Sequence, residues 1–138
     1  MFVLDTNVVS ELRRPKKANP QVLAWASDIP LANFFLSSIT VLELELGALL
    51  MERKDATQGA ALRTWIDQQI LPRFEGRIFA VDVAIAQCCA RLHVPDPRSE
   101  RDALIAATAL VHGMTVATRN VADFAPTKVR TINPWTTP

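Results

Sequence analysis

The sequence predicts a three-layer α/β/α sandwich with a central, mainly parallel, five-stranded sheet. Three observations on the 138 residues favour this fold class. Short apolar segments of strand length alternate with longer segments in which apolar residues recur at helical spacing. The first apolar segment, Phe2–Leu4, lacks polar residues, as is typical of a parallel strand covered on both faces. Hydrophobic residues make up 49% of the chain, which is enough to build a buried core.

The predicted strands share a composition of apolar residues bounded by turn-forming or cap-forming residues. In chain order they cover residues 2–5, 34–37, 78–81, 115–118 and 129–132. The predicted helices cover residues 8–13, 20–27, 41–54, 58–74, 83–94 and 99–112. Residues 120–124 are predicted to form a turn.

Several helix ends are indicated by single residues. Thr6 or Asn7 is expected to cap the first helix, and Thr40 the third, because their side-chain oxygens can accept free backbone N–H groups. Pro20 suits a first helical turn, since its missing N–H would be unpaired there in any case. Gly113 can adopt the left-handed conformation that ends a helix.

Composition limits the class of protein. Lys plus Arg number 15 and Asp plus Glu 14, which excludes a strongly basic surface of the kind that coats nucleic acid. The two cysteines are adjacent, so the chain has neither a disulfide framework nor a zinc-knuckle spacing, and a reducing compartment is expected. With no signal peptide and no apolar run near the ~20 residues of a membrane span, we expect a cytoplasmic protein. Residues 1–138 are expected to form a single domain.

Two acidic residues are expected near the carboxyl ends of predicted strands. Asp5 ends the first strand, and Asp123 lies in the turn after strand 115–118. Open α/β sheets bind ligands at the carboxyl edge of their strands, where both residues are expected to lie. The alternative for Asp123 is an ordinary hydrogen bond to nearby backbone, which is common for Asp in turns.

Two more acids occupy predicted helices. Glu43 lies one turn inside an apolar helix and shares a face with Gly47, whose presence mid-helix predicts close approach of a neighbouring element. The alternative for Glu43 is a solvated side chain. Asp102 shares a face with small apolar residues, which predicts that it points into the fold, but Ser99-x-x-Asp102 also resembles a capping box.

The expected meeting of these acids points to a chemistry. Ionised carboxylates within a few ångström repel one another, so some would take up protons unless a cation neutralised them. Mg²⁺ or Mn²⁺ suits carboxylate ligands and leaves positions for water and phosphate. A site of this kind supports hydrolysis of a phosphodiester, since the cation activates water and stabilises the leaving oxygen.

At these residues the chain resembles the PIN-domain ribonucleases, specifically the VapC-type toxins of bacterial toxin–antitoxin pairs and their FitB-like branch. Four motifs in order carry the resemblance, and together they cover nearly the whole chain. They are Asp5-Thr6-Asn7, Glu43-Leu44-x-x-Gly47, Asp102-Ala103-x-Ile105-Ala106-Ala107 and Thr118-x-Asn120-x-x-Asp123-Phe124.

The resemblance implies an RNA substrate, a fold with a five-stranded parallel sheet, a homodimer and a small VapB-like antitoxin as partner. It implies an acidic quartet around Mg²⁺ or Mn²⁺, consisting of Asp5, Glu43, Asp102 and Asp123. Thr6 and Thr118 would orient water or support the acids, and Asn7 would support Asp5. Asn120 replaces an acid found in some relatives, which bears on a second metal.

Basic residues offer two further interpretations. The loop containing Arg13, Arg14, Lys16 and Lys17 either contacts RNA phosphates or is simply solvated. Arg98, Arg101 and Arg119 flank the motif acids and are candidates for substrate contact, or else pair with surface acids. Two alternatives to a metal-dependent ribonuclease remain open: a non-catalytic RNA-binding or antitoxin-binding module, and a phosphatase with Asp5 as nucleophile.

Overall fold

A computed structural model describes residues 1–138 and contains one five-stranded sheet with the order β3-β2-β1-β4-β5. All neighbouring strands are parallel. The strands are β1 (Phe2–Leu4), β2 (Phe34–Ser37), β3 (Ile78–Phe79), β4 (Thr115–Ala117) and β5 (Thr131–Ile132). The predicted fold class is confirmed, and each observed strand lies within its predicted range.

Eight α-helices connect or flank the strands. They are α1 (Thr6–Glu11), α2 (Pro20–Ser27), α3 (Ser38–Lys54), α4 (Ala56–Trp65), α5 (Leu71–Arg73), α6 (Val83–Leu92), α7 (Glu100–His112) and α8 (Val121–Phe124). The prediction of one continuous helix over 58–74 is wrong, because a π-helical segment, Ile66–Ile70, separates α4 from α5. The predicted turn at 120–124 is instead the short helix α8.

Two of the predicted helix caps are wrong by one to three residues. The first helix begins at Thr6, and its cap is Asp5, whose Oδ1 accepts a hydrogen bond from the Thr6 N–H at 2.8 Å. The third helix begins at Ser38 and is capped by Ser37, whose Oγ accepts from the Ile39 N–H at 3.0 Å. In both cases a polar residue at or directly after the end of the strand caps the helix, so at most one residue separates the strand from the helix. Gly113 ends α7 with φ +67°, as predicted.

The two glycines in α3 and α4 have unequal surroundings. Gly47 is exposed, and a Cβ added there would meet no atom within 4 Å, so the predicted close approach at Gly47 is wrong. The close approach occurs at Gly59 of α4, where an added Cβ would lie 2.6 Å from the Cα and 2.7 Å from the backbone N of Glu52. Gly59 therefore allows α4 to pack against α3.

Apolar clusters lie on both faces of the sheet, because side chains alternate along a strand. Leu4 of β1 belongs to a cluster with Trp25, Leu36 and Leu44, while Val3 belongs to a second cluster. That second cluster contains side chains of α7, β4 and α8, namely Ile105, Ala106, Ala109, Val116 and Phe124. None of the helices has the length and apolar character required to cross a bilayer.

Candidate active site

The strand order places a crevice between β1 and β4. From β1 the chain builds the sheet outward through β2 and β3, then returns to the other side of β1 to add β4 and β5. Ligands of open α/β sheets bind where the order reverses in this way, beyond the carboxyl ends of the strands. Asp5 follows β1 and Thr118 follows β4 at this point, and the Asp5 N–H donates to the Ala117 carbonyl oxygen at 2.9 Å.

Asp5 is the most enclosed of the four acids, with 6% of its surface exposed. Its Oδ2 accepts hydrogen bonds from the Thr118 hydroxyl at 2.7 Å and from Asn7 Nδ2 at 3.3 Å. Its Oδ1 accepts from the Thr6 N–H. Thr118 is itself fixed, because its Oγ1 accepts from the Asn120 N–H at 2.9 Å. Asn7 and Thr118, which the resemblance assigns to the site, therefore both donate hydrogen bonds to Asp5.

Glu43 enters the same network from α3. The Thr6 hydroxyl donates to Glu43 Oε1 at 2.8 Å, which joins a residue of α1 to one 37 positions further along the chain. Arg101 Nη1 lies 3.8 Å from Glu43 Oε2, a half-exposed ion pair. The solvated interpretation of Glu43 therefore fails, since one oxygen is bonded to Thr6 and the other faces Arg101.

Glu43 and Asp123 lie close enough to Asp5 to change its ionisation, and Asp5 in turn changes that of Asp102. Burial raises the pKa of Asp5, the hydrogen bonds from Thr118 and from the Thr6 N–H lower it, and the charges of Glu43 and Asp123 raise it. The pKa of Asp102 is also raised, first by burial and then by the charges of Asp5, Asp123 and Glu43, while the Ser99 side chain lowers it. The four acids therefore share one electrostatic environment.

Each acid reaches this environment from a different element. Asp102 lies in the first turn of α7 and Asp123 in α8. The Ser99 side chain makes no hydrogen bond to the backbone N–H groups of α7, so that half of the capping box is absent, but Asp102 lies in the first turn, where the helix dipole favours an acid. Asp102 is half-buried, whereas Asp123 is exposed at the mouth of the crevice.

The four acids have the oxygen ligands that a hard cation prefers, but their side chains are not close enough together to form a metal site. All four acids offer carboxylate oxygens, the ligands that hard divalent ions prefer, and two of them have raised pKa values. No three acidic, His or Cys side chains of the molecule are close enough together to form a ready metal cluster. Metal binding would therefore require the carboxylates of the site to move closer together.

Sequence reasoning named Arg119 as a candidate for substrate contact but missed its contact with Trp135. Arg119 follows Thr118, and its backbone N–H donates to Asn7 Oδ1 at 3.3 Å, so Asn7 contacts both Asp5 and the segment after β4. The Arg119 guanidinium lies 5.2 Å from the ring centre of Trp135. Nothing in the local sequence around Trp135 indicates this contact, because it depends on how the C-terminal segment returns to the sheet.

Known proteins resemble this chain over nearly its whole length. Residues 2–126 match the family model described as the PIN domain. The chain is 40% identical to Toxin FitB of Neisseria gonorrhoeae, over 98% of this chain and 99% of the relative. It is 36% identical to the VapC ribonuclease Y4jK of Sinorhizobium fredii, over 98% of each chain. The crystal structure of FitAcB from Neisseria gonorrhoeae superposes with a TM-score of 0.90 at 38% identity, covering 99% of this chain and 100% of that one.

Proposed function

This chain belongs to the PIN domain family as a toxin ribonuclease of the FitB and VapC type, and from that premise we propose which of its residues carry out the hydrolysis. Asp5, Glu43, Asp102 and Asp123 bind Mg²⁺ or Mn²⁺ between β1 and β4. The observation that carries the proposal is the enclosed Asp5 carboxylate, bonded by Thr118 and subject to the charges of Glu43 and Asp123 at the point where the strand order reverses.

A divalent ion bound there supplies an activated water and stabilises negative charge on an RNA phosphate. The chain's own residues fix where this happens. The Thr118 and Asn7 side chains hold Asp5 Oδ2, and the Thr6 hydroxyl holds Glu43 Oε1, so these carboxylates keep their orientation without the ion. Arg101, beside Glu43, is placed to contact a phosphate oxygen at the edge of the site.

The phosphatase alternative is disfavoured by the hydrogen bonds of Asp5. Both of its oxygens accept hydrogen bonds, and the side chain has little exposed surface. A carboxylate that attacks phosphorus must present a free oxygen to the substrate. The arrangement instead suits a carboxylate that is held in place as a ligand.

The proposal includes two protein partners. The antitoxin partner agrees with the toxin–antitoxin character of the relatives. A homodimer is supported by the exposed apolar side chains of α3, which leave an apolar stripe along that helix. These are Leu42, Leu46, Leu49 and Leu50, with exposed fractions of 46%, 37%, 52% and 53%.

The direct test is cleavage of a mixed RNA substrate by purified protein in Mg²⁺ or Mn²⁺. We expect Asp5→Asn to lower the cleavage rate by at least about 100-fold, since even indirect ligand supports are worth about 10–100-fold. The exposed Asp28→Asn is the charge-matched control and is expected to cleave at the wild-type rate. Undiminished cleavage by Asp5→Asn would refute the assignment of Asp5.

Removal of the divalent ion with a chelator distinguishes the ribonuclease from the remaining alternative, a non-catalytic RNA-binding module. Cleavage by the wild-type protein should stop when the divalent ion is removed and return when it is added back. Retained RNA binding without any cleavage, at every divalent ion concentration, would instead favour a non-catalytic RNA-binding module.

A further inference from the structure

A basic cleft lies beside the candidate active site and shares Asn7 with it. It has a volume of about 470 Å³, within the range of about 300–1,000 Å³ typical of ligand sites. We use "basic cleft" for the surface formed by Asn7, Arg13, Arg14, Lys17, Arg119 and Trp135. Residues from α1, from the loop after it, from the end of β4 and from the C-terminal segment meet there.

The positive charges of the basic cleft have no acidic partners. The ion pairs of the molecule join Arg63 to Glu45 and Asp67, and Arg101 to Glu43, so none includes a cleft residue. One acid, Glu11, also lines the cleft, but its Oε2 accepts a hydrogen bond from a backbone N–H at 2.9 Å. The cleft thus holds four cationic side chains against one carboxylate, and a concave surface with this excess of positive charge attracts a polyanion.

The crowding of positive charge affects the pKa of Arg13. The pKa of the Arg13 guanidinium is lowered, first by burial and then by the neighbouring charge of Arg14. An anion bound in the cleft would relieve this repulsion.

Two of the arginines are held by aromatic rings. The Arg13 guanidinium lies 5.8 Å from the ring centre of Trp65, and that of Arg119 lies 5.2 Å from the ring centre of Trp135. Contacts of this kind restrict the motion of a guanidinium and leave its N–H groups free to bond a phosphate. The cleft therefore presents positioned donors.

Asn7 connects the basic cleft to the acids. It lines the cleft, its Nδ2 donates to Asp5 Oδ2, and its Oδ1 accepts from the Arg119 N–H. A chain of phosphates lying in the cleft would therefore continue directly to the carboxylates.

We propose that the basic cleft binds the phosphates of single-stranded RNA on one side of the scissile bond, and so sets the path of the substrate into the active site. The inference rests on the proposed function, because it assumes hydrolysis of RNA at Asp5. Arg14, Lys17 and Arg119 are the exposed cations of the cleft. Arg14 and Lys17 are chosen for the test because Arg13 and Arg119 are held against the rings.

Binding and cleavage are tested separately with the pair Arg14→Gln/Lys17→Gln. Binding of a fluorescent short oligouridine is measured in the Asp5→Asn background over a range of salt concentrations. The matched control is Arg53→Gln/Lys54→Gln at the end of α3, about 15 Å beyond Glu43 by helical rise. Cleavage is measured with the same pairs in the wild-type background.

We expect the cleft pair to bind the RNA about tenfold or more weakly at 0.1 M salt, and to lower the slope of log K against log salt by about 1.4, or about 0.7 per lost charge. In cleavage, KM should rise while kcat stays near the wild-type value, and the control pair should change neither property. The inference is overturned if the cleft pair and the control pair bind the RNA with the same affinity and the same slope of log K against log salt. Cleavage by the wild-type protein would still leave the proposed function intact in that case.

Two other outcomes would also overturn it. If the cleft pair binds RNA normally but loses binding of a short oligoglutamate, the cleft serves an acidic protein segment instead of RNA. If the wild-type protein neither binds nor cleaves RNA, both the inference and the proposed function fail.

Discussion

Asp5 combines a structural and a chemical role in one carboxylate. Oδ1 caps α1, and Oδ2 receives the Thr118 and Asn7 side chains. A buried carboxylate normally keeps its charge only when enough donors face it. Here burial outweighs the donors, and the nearby acids act in the same direction. The metal-free site is therefore electrostatically unfavourable.

This balance predicts a pH dependence of stability in the metal-free protein. Because the pKa values of Asp5 and Asp102 are raised above 3.8, the folded state keeps protons that the unfolded chain has already released. Their contribution to the free energy of unfolding is therefore present at about pH 4 and declines as the pH rises toward 7. Asp5→Asn removes the Asp5 part of this decline.

Urea unfolding of the metal-free protein, measured in the presence of a chelator, tests the direction of this pH dependence. The difference in free energy of unfolding between Asp5→Asn and the wild type should shift in favour of the variant from about pH 4 to about pH 7. Asp28→Asn serves as the exposed control. A difference that stays constant, or moves in favour of the wild type, contradicts the account of Asp5.

Thr118→Val tests the hydroxyl that holds Asp5. The variant keeps the shape of the buried side chain but loses the bond to Asp5 Oδ2 and the acceptor for the Asn120 N–H. We expect the free energy of unfolding to fall by about 1–3 kcal/mol, together with a lower rate of RNA cleavage. Both are measured on the same preparation.

The matched control for Thr118→Val is Thr127→Val. Thr127 is also buried, and its hydroxyl donates to the Phe124 carbonyl oxygen without contacting any of the four acids. It should lose stability but keep the cleavage rate of the folded protein. Equal losses of cleavage in both variants would mean that Thr118 acts through stability alone.

Among the elements, those with strong local signals could be predicted. The apolar strands, Pro20 at the start of α2 and Gly113 at the end of α7 all follow from the preferences of single residues. The starts of α1 and α3 could not be predicted accurately, because adjacent polar residues can each act as a cap. The π-helical segment after α4 and the close approach at Gly59 depend on tertiary packing, which the local sequence does not specify.

The two helical glycines should respond in opposite directions to alanine. Gly47→Ala adds a methyl group in open space and is expected to stabilise the protein by about 0.5–1 kcal/mol, through helix propensity. Gly59→Ala places a Cβ against the backbone of Glu52, which no side-chain rotation can relieve. It is expected to destabilise the protein by about 1–3 kcal/mol.

Denaturant unfolding of the two glycine variants provides the measurement, and each serves as the control for the other. A destabilised Gly47→Ala would mean that the dimer contact proposed for the leucines of α3 extends over Gly47. A neutral Gly59→Ala would contradict the tight packing of α4 against α3.

In the whole molecule, the parallel sheet brings distant acids together. Asp5 and Asp123 were predicted from their positions after strands, and both lie at the same edge of the sheet. The bonds from Thr6 to Glu43 and from Thr118 to Asp5 join residues 37 and 113 positions apart. The resemblance to known toxins named these residues, but which of them pair, and through which atoms, depends on the folded chain. The basic cleft has a similar origin, since Trp135 joins it from the far end of the sequence.

The central claim is that these acids form one cation site, and thermal unfolding with added Mn²⁺ tests it most directly. At a free Mn²⁺ concentration of about 100 times Kd, binding to the folded state adds about 2.7 kcal/mol and raises Tm by several degrees. Each single substitution in the site should reduce this rise, whereas Asp28→Asn should not. The four substitutions are Asp5→Asn, Glu43→Gln, Asp102→Asn and Asp123→Asn. A wild-type Tm that is independent of Mn²⁺, or an equal rise in all variants, would contradict the account.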